Sequence, residues 1–260
     1  MVVCLSSGQE LAKRNVLFRQ FIVLLIIPVK EDPTNPTNDQ AEFRGGVSSE
    51  SPRPIRFAGS VFDAQRHVCA FFHNSDEQYR ILLPFIQEGF ESGHRAFHVV
   101  HPKLREEHLR RLEIAGIAVP ATQHRRQLEV ATVEETFLRG GRFNSDAALA
   151  LIQETLNTGA TLGFPLTRMV AHVAERILDN ESNTDEWLKC EARLNAILLR
   201  YNDPVICVYD LAKLSGAVVV DVLRTHPMVV IGGLLQENPF FMPPDEFLRQ
   251  LGERGAAQTS

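Results

Sequence analysis

From His67 onward, short runs of apolar, β-prone residues alternate with longer stretches in which apolar residues recur every three or four positions. No other feature constrains the fold as strongly. A strand, a helix and a second parallel strand form a right-handed crossover, and a series of these builds a mainly parallel sheet with helices on both faces. The runs HVCAFF (67–72) and VICVY (205–209) are apolar without interruption, as strands covered on both sides are. Further strands are expected at Arg95–Val100, at Leu128–Thr132, within Leu162–Val173 and at Met228–Ile231. Helical spacing marks Asp76–Ser92, Lys103–Ala115, Ser145–Asn157, Thr184–Tyr201, Ser215–Thr225 and Asp245–Leu251. Gly93 and Gly116 are placed to end the first two, and Pro84 is expected to kink the first. The stretch GGLLQENPFF reads as a turn and a closing segment.

The alternation begins late. Residues 30–54 are rich in Pro, Asn, Ser, Thr and Gly and carry few large apolar side chains. Such a stretch buries too little surface to offset its ordering entropy. The folded domain is therefore expected over 55–254, between a disordered extension and linker (1–54) and a short disordered tail (255–260). Within the extension, Val16–Val29 is apolar but broken by Arg19 and Gln20, and its continuous part falls far short of the ~20 residues that span a bilayer. No small-x-small cleavage site follows it. A poorly ordered extension, or a start codon assigned too far upstream, is the expected reading, with no membrane role.

Charge and cysteines narrow the function classes. With 27 basic and 32 acidic residues the net charge is −5, the wrong sign for a chain whose main partner is nucleic acid. The four cysteines, Cys4, Cys69, Cys190 and Cys207, include no CxxC pair, which argues against a zinc ribbon or a thioredoxin-like site and fits a reducing cytoplasm. No nucleophile elbow, HExxH motif or Ser/His/Asp arrangement is visible, so no catalytic residue is expected.

In open parallel sheets ligands bind beyond the carboxyl ends of the strands. Positions at or just after the ends of the expected strands therefore supply candidates, among them Glu77, His98 and Asp210. The first loop, His73–Glu77, has no Gly and no Lys and holds two carboxylates, so it lacks the cradle of a phosphate-binding loop. Its Asn74, Ser75 or Asp76 instead suits a helix N-cap. Residues two apart in a strand share a face, so His67, Cys69 and Phe71 lie together, as do Cys207 and Tyr209. Were those strands close, imidazole, thiols and phenol would form a patch for a mostly apolar ligand with polar anchors, or for a soft metal. The alternative is that the cysteines are core filler and His67 a structural hydrogen-bonder. The spacing is not diagnostic of a metal motif, and no metal or other cofactor is expected. Glu191 lies mid-helix with Trp187 and Asn195 four residues away, so no helical ion pair is available. It belongs either to a solvated face or to a site or core hydrogen bond. Asp210 reads as a cap or polar anchor, and His226, before Pro227, as an extended entry to the last strand facing the site.

The strand HVCAFF with the helix LLPFIQEGFESG, followed much later by CEARLN, DPVICVYD and VLRTHPMVVIGGLLQENPFF, resembles the MEDS (methanogen/methylotroph, DcmR sensory) domain. The resemblance covers about Phe62 to Leu251. The chain departs from it at Cys190, where many members carry an aromatic, and around Arg168, where many have a clearer Gly-Arg strand. The resemblance implies a RecA/KaiC-like α/β fold with a degenerate P-loop and no ATPase machinery. The expected function is a non-catalytic, cytoplasmic sensory domain. It would bind a small organic ligand at the carboxyl edge of the sheet and pass the signal to a regulatory protein, a kinase or transcription regulator, or through homo-oligomerisation. The rival readings are a ligand-free adaptor, a residual nucleotide-binding protein, and a thiol or metal sensor.

Overall fold

A computed structural model of the chain describes residues 54–62, 66–178 and 181–258. The expected extension lies outside the described residues, apart from position 54. A small hairpin, β1 (Arg56–Phe57) and β2 (Ser60–Val61), precedes the main sheet. Then follow β3 (His67–Phe72), α1 (Ser75–Glu91), β4 (Arg95–Val100), α2 (Arg105–Ile114), α3 (Val119–His124) and β5 (Leu128–Thr132). The second half comprises α4 (Ser145–Thr161), β6 (Thr167–His172), α5 (Glu181–Leu198), β7 (Val205–Asp210), α6 (Gly216–Thr225), β8 (Met228–Ile231), β9 (Leu234–Glu237) and α7 (Pro244–Gln258).

The sheet has seven strands in the order β5-β4-β6-β7-β3-β8-β9. Every pair in it is parallel except β8–β9. This is the expected α/β architecture, a mostly parallel sheet covered by helices, and it is consistent with a RecA-like scaffold. The turn between β8 and β9 carries Gly232 (φ 59) and Gly233 (φ 77), the backbone that a tight hairpin demands and that glycine adopts without strain.

Strand alternation sorts the core into two layers. Val68, Ala70, Phe72, Ile206 and Val208 pack with Leu82, Phe85 and Ile86 of α1 and Leu112 of α2. On the opposite face Cys69, Phe71, Cys207 and Tyr209 pack with Leu149, Ile152 and Leu156 of α4 and with Trp187 and Leu188 of α5. Both faces of β3 and β7 are thus covered, which is why those two segments read as uninterrupted apolar runs.

One contact between β6 and α1 explains a cation in this core. Arg168, 2% exposed, donates from Nη1 to the Phe85 carbonyl at 2.5 Å and to Glu88 Oε2 at 3.1 Å, and from Nε to His94 Nδ1 at 3.0 Å. Its guanidinium lies over the Phe85 ring at 4.6 Å. Gly89 makes room for it: a Cβ there would come within 2.8 Å of Arg168 Cδ. Arg168 is therefore a tie between helix and sheet.

Several boundaries differ from the sequence reading. Helix α1 runs through Pro84 as one element and ends at Ser92 and Gly93 (φ 70), where His94 N–H donates to the Gly89 carbonyl. The charged segment after Pro102 starts as a turn of 3₁₀-helix before α2. The last helix extends to Gln258, past the expected domain end at 254, because it buries Phe247 and Leu251 against the α5 side of the core. The hairpin β1–β2 and the short helix α3 carry too little periodicity to be seen in the sequence. Among the described residues, no helix is long and apolar enough to cross a membrane.

Candidate functional site

Strands β3 and β7 are neighbours, with Cys69 opposite Cys207 and Phe71 opposite Tyr209. The two patches inferred from i, i+2 spacing therefore merge into one. Helix α5 lies over that face and places Glu191, 1% exposed, at its centre. The Tyr209 hydroxyl donates to Glu191 Oε1 at 2.8 Å. The other oxygen, Oε2, is 3.1 Å from His67 Nε2, 3.6 Å from Cys207 Sγ and 3.4 Å from His226 Nε2. His226 comes from the turn before β8, the other neighbour of β3, and its ring lies 4.1 Å from that of His67.

An outer ring of contacts fixes these groups. Asn195, one helical turn after Glu191, sets its Oδ1 3.0 Å from His67 Nδ1, while its Nδ2 donates to the Glu191, Ala192 and Thr225 carbonyls. His226 Nδ1 lies 2.9 Å from the Val222 carbonyl. Trp187 Nε1 donates to the Tyr209 oxygen at 3.1 Å. Burial pushes the His67 imidazole below its ordinary value, helped by His226 and opposed by Glu191. Burial also opposes ionisation of Glu191, but His226 and His67 outweigh it and hold the carboxyl well below the usual carboxylate range. Burial and then the Glu191 charge push the Cys207 thiol and the Tyr209 phenol up. The result is one ionised carboxylate enclosed by buried imidazole, thiol and phenol groups.

A cavity of about 800 Å³ opens at the carboxyl ends of β3, β4, β6 and β7. Phe72, Val173, Leu178 and Leu214 give it apolar walls, and Gln78, Tyr79, His172 and Tyr209 also line it. On its rim Lys213 is engaged by Glu175 at 2.5 Å and by Asp210 at 3.6 Å. Behind Tyr79, a hydrogen-bonded chain runs from its hydroxyl to His108 Nδ1 (2.8 Å) and from His108 Nε2 to His98 Nδ1 (2.9 Å). Burial, then His172, lowers His98 to about 3, and burial lowers His172 to about 4, so both rings are neutral at pH 7.

The loop where a phosphate cradle would stand is closed on itself. Asn74 caps α1 by accepting from the Glu77 N–H at 2.9 Å, and Glu77 Oε2 accepts the His73 N–H at 2.8 Å. An internal carboxylate thus takes a backbone donor that an anionic ligand would need.

The ten candidates divide between these places. His67, Glu191, Cys207, Tyr209 and His226 meet beneath α5. Cys69 is adjacent but donates to the Met228 carbonyl at 3.6 Å, and Phe71 packs on the Tyr209 ring. His98 lies on the opposite face of the sheet, and Glu77 is a cap. Of the ten, only Tyr209 and Asp210 line the cavity, and Asp210 also accepts the Ala212 N–H at 3.0 Å. The His67 group therefore lies on the flat of the sheet rather than at its carboxyl edge. Sequence reasoning missed Gln78, Tyr79 and His172 in the cavity. His172 ends β6 and obeys the strand-end rule, but Pro165 blurred that strand's limits. Asn195 shares Glu191's helical face and was visible at i+4.

No curated protein matches the chain. The model of a sensory-domain family, MEthanogen/methylotroph, DcmR Sensory domain (MEDS), matches residues 66–227. That span runs from the entry to β3 to the residue after His226, taking in every strand end around the cavity and all of the Glu191 cluster, and the chain belongs to the MEDS family of sensory domains.

Proposed function

We propose that this sensory domain is a non-catalytic receptor for a small, largely apolar organic molecule bearing one polar group, held in the cavity at the carboxyl edge of the sheet. The observation that carries this reading is the cavity itself. Its volume of about 800 Å³ lies in the range of small-molecule pockets, and its lining combines apolar side chains, uncharged polar groups such as Gln78 and Tyr79, and charged residues including Lys103, Glu107, Glu175, Arg176, Asp210 and Lys213. The internal Glu77 contact and the absence of a Gly-Lys loop count against a nucleotide there.

Tyr209 supplies a route for the signal. The residue lines the cavity and its hydroxyl donates to Glu191 of α5. A ligand that binds one orientation of this ring better than another biases α5 by the difference in affinity, and a regulatory partner reads the helix face. Thermal-shift and calorimetric titration against a panel of short carboxylic acids, alcohols, amines, aromatic acids and ATP–Mg²⁺ tests the reading. A saturable rise in melting temperature with one organic class, lost in Leu214→Trp, is expected. Stoichiometric ATP binding, or no response to any organic class, would overturn it.

A further inference from the structure

We propose that His67, Glu191, Cys207 and His226 form a buried four-ligand zinc site joining α5 to strands β3 and β7 and to the entry of β8. The candidate atoms, two imidazole nitrogens, a thiol sulfur and a carboxylate oxygen, all lie within 4.8 Å of one another. Four of their separations are 3.1, 3.4, 3.6 and 3.7 Å. Tetrahedral zinc with Zn–N and Zn–O near ~2.0 Å and Zn–S near ~2.3 Å requires edges of roughly 3.3–3.5 Å. Those four edges match a tetrahedron of that size to within a few tenths of an ångström, and the two edges from His226 to His67 and to Cys207 lie within 4.8 Å.

The hydrogen-bond roles of the two histidines point the same way. Asn195 Nδ2 is committed to three carbonyls, so its Oδ1 faces His67 Nδ1 and Nδ1 must carry the proton. The neutral ring then directs the lone pair of Nε2 at Glu191 Oε2. His226 repeats this arrangement. Thr225 Oγ1 donates to the Val222 carbonyl, His226 Nδ1 gives its proton to the same region, and Nε2 is left with a lone pair and no hydrogen-bond partner among the described residues. His226 is fully buried. With both rings neutral in these tautomers, two lone pairs repel the one carboxylate oxygen, and a cation between them satisfies all three. Metal-bound histidines characteristically donate their other N–H to a carbonyl or amide oxygen, and both rings do so here.

Charge balance agrees. A divalent ion with one thiolate and one carboxylate is neutral, and a neutral unit is far cheaper to bury than a lone carboxylate. Zinc takes such N₂SO sets in tetrahedral form, and the closed four-ligand set makes it a structural site loaded during folding rather than an open catalytic one. The inference does not depend on what occupies the cavity.

The test uses the full chain produced in zinc-supplemented medium and purified without chelator. Metal analysis is expected to find one zinc per chain. Cobalt(II) substitution is expected to give a thiolate-to-cobalt charge-transfer band and intense tetrahedral d–d bands. Cys207→Ser should lose the charge-transfer band and bind metal at least ~10-fold more weakly, and Cys190→Ala should keep both. If Cys207→Ser fails to fold, the wild-type cobalt spectrum decides alone, since only a thiolate ligand produces that band. Folded wild-type protein that takes up no stoichiometric zinc or cobalt, or a cobalt spectrum without the thiolate band, would overturn the proposal.

Discussion

The Tyr209 hydroxyl donates to Glu191 at 2.8 Å while receiving the Trp187 indole N–H at 3.1 Å. One oxygen atom thus links the cavity wall to two positions on α5. Tyr209→Phe removes a donor from a buried carboxylate and strands a buried indole N–H. The expected loss is ~1–3 kcal/mol, read as a lower urea midpoint at unchanged slope. A midpoint equal to wild type would mean that the oxygen holds nothing together.

Removing the carboxylate should cost more. Glu191→Ala deletes the group toward which Tyr209, His67, Cys207 and His226 converge. A loss of ~3–5 kcal/mol is expected, as for one partner taken from a buried ionic group. Near-ultraviolet circular dichroism, which reports Trp187 and Tyr209, should change with it. Glu191→Gln keeps the shape and should cost less than the alanine variant; the reverse order would show that charge does not matter at this position.

Acid should weaken the fold before ordinary carboxylates titrate. His98 and His172 are held down to about 3 and about 4 from 6.5, so the unfolded chain binds their protons first. Their contribution is fully present above about pH 6.5 and is lost as pH falls towards the folded values, at up to ~1.4 kcal/mol per pH unit per group. Around His98 the other titratable groups are His108, Tyr79 and His172. Urea midpoints measured from about pH 7 to about pH 5 should fall in the wild type and fall less steeply in His98→Gln. Parallel slopes would rule out a neutral buried His98.

The approach of α1 to β6 depends on a hydrogen atom at Gly89. In Gly89→Ala the new methyl meets Arg168 at 2.8 Å, and Arg168 cannot retreat without releasing Glu88 and the Phe85 carbonyl. Overpacking of ~1–3 kcal/mol should exceed the helix-propensity gain of ~1 kcal/mol. A stabilised Gly89→Ala protein would show that Arg168 yields easily.

How much of this was legible in the sequence depended on whether the signal was local. The strands His67–Phe72 and Val205–Asp210 announce themselves, because burial on both faces leaves no polar residue inside them. The i, i+2 sets of His67 and Cys207 were equally plain, but their meeting was not, since strand order is set by crossovers and leaves no mark on the residues. Glu191 illustrates the limit. An unpaired glutamate on an amphipathic helix looks like solvent-facing charge, and its partners come from three strands or strand entries far away in sequence. The strand-end rule located the cavity's edge but selected Glu77 and His98 there, whereas capping turned one inward and strand parity sent the other to the opposite face.

The cavity is bounded by residues following β3, β4, β6 and β7, four stretches separated by whole helices along the chain. Each wall is consequently free to drift in evolution on its own. A change near Lys103 remodels one side, a change near Leu178 another, and neither disturbs the strands behind them. Under the proposed receptor role, chimaeras that exchange a single such connection are expected to change ligand selectivity without refolding the scaffold.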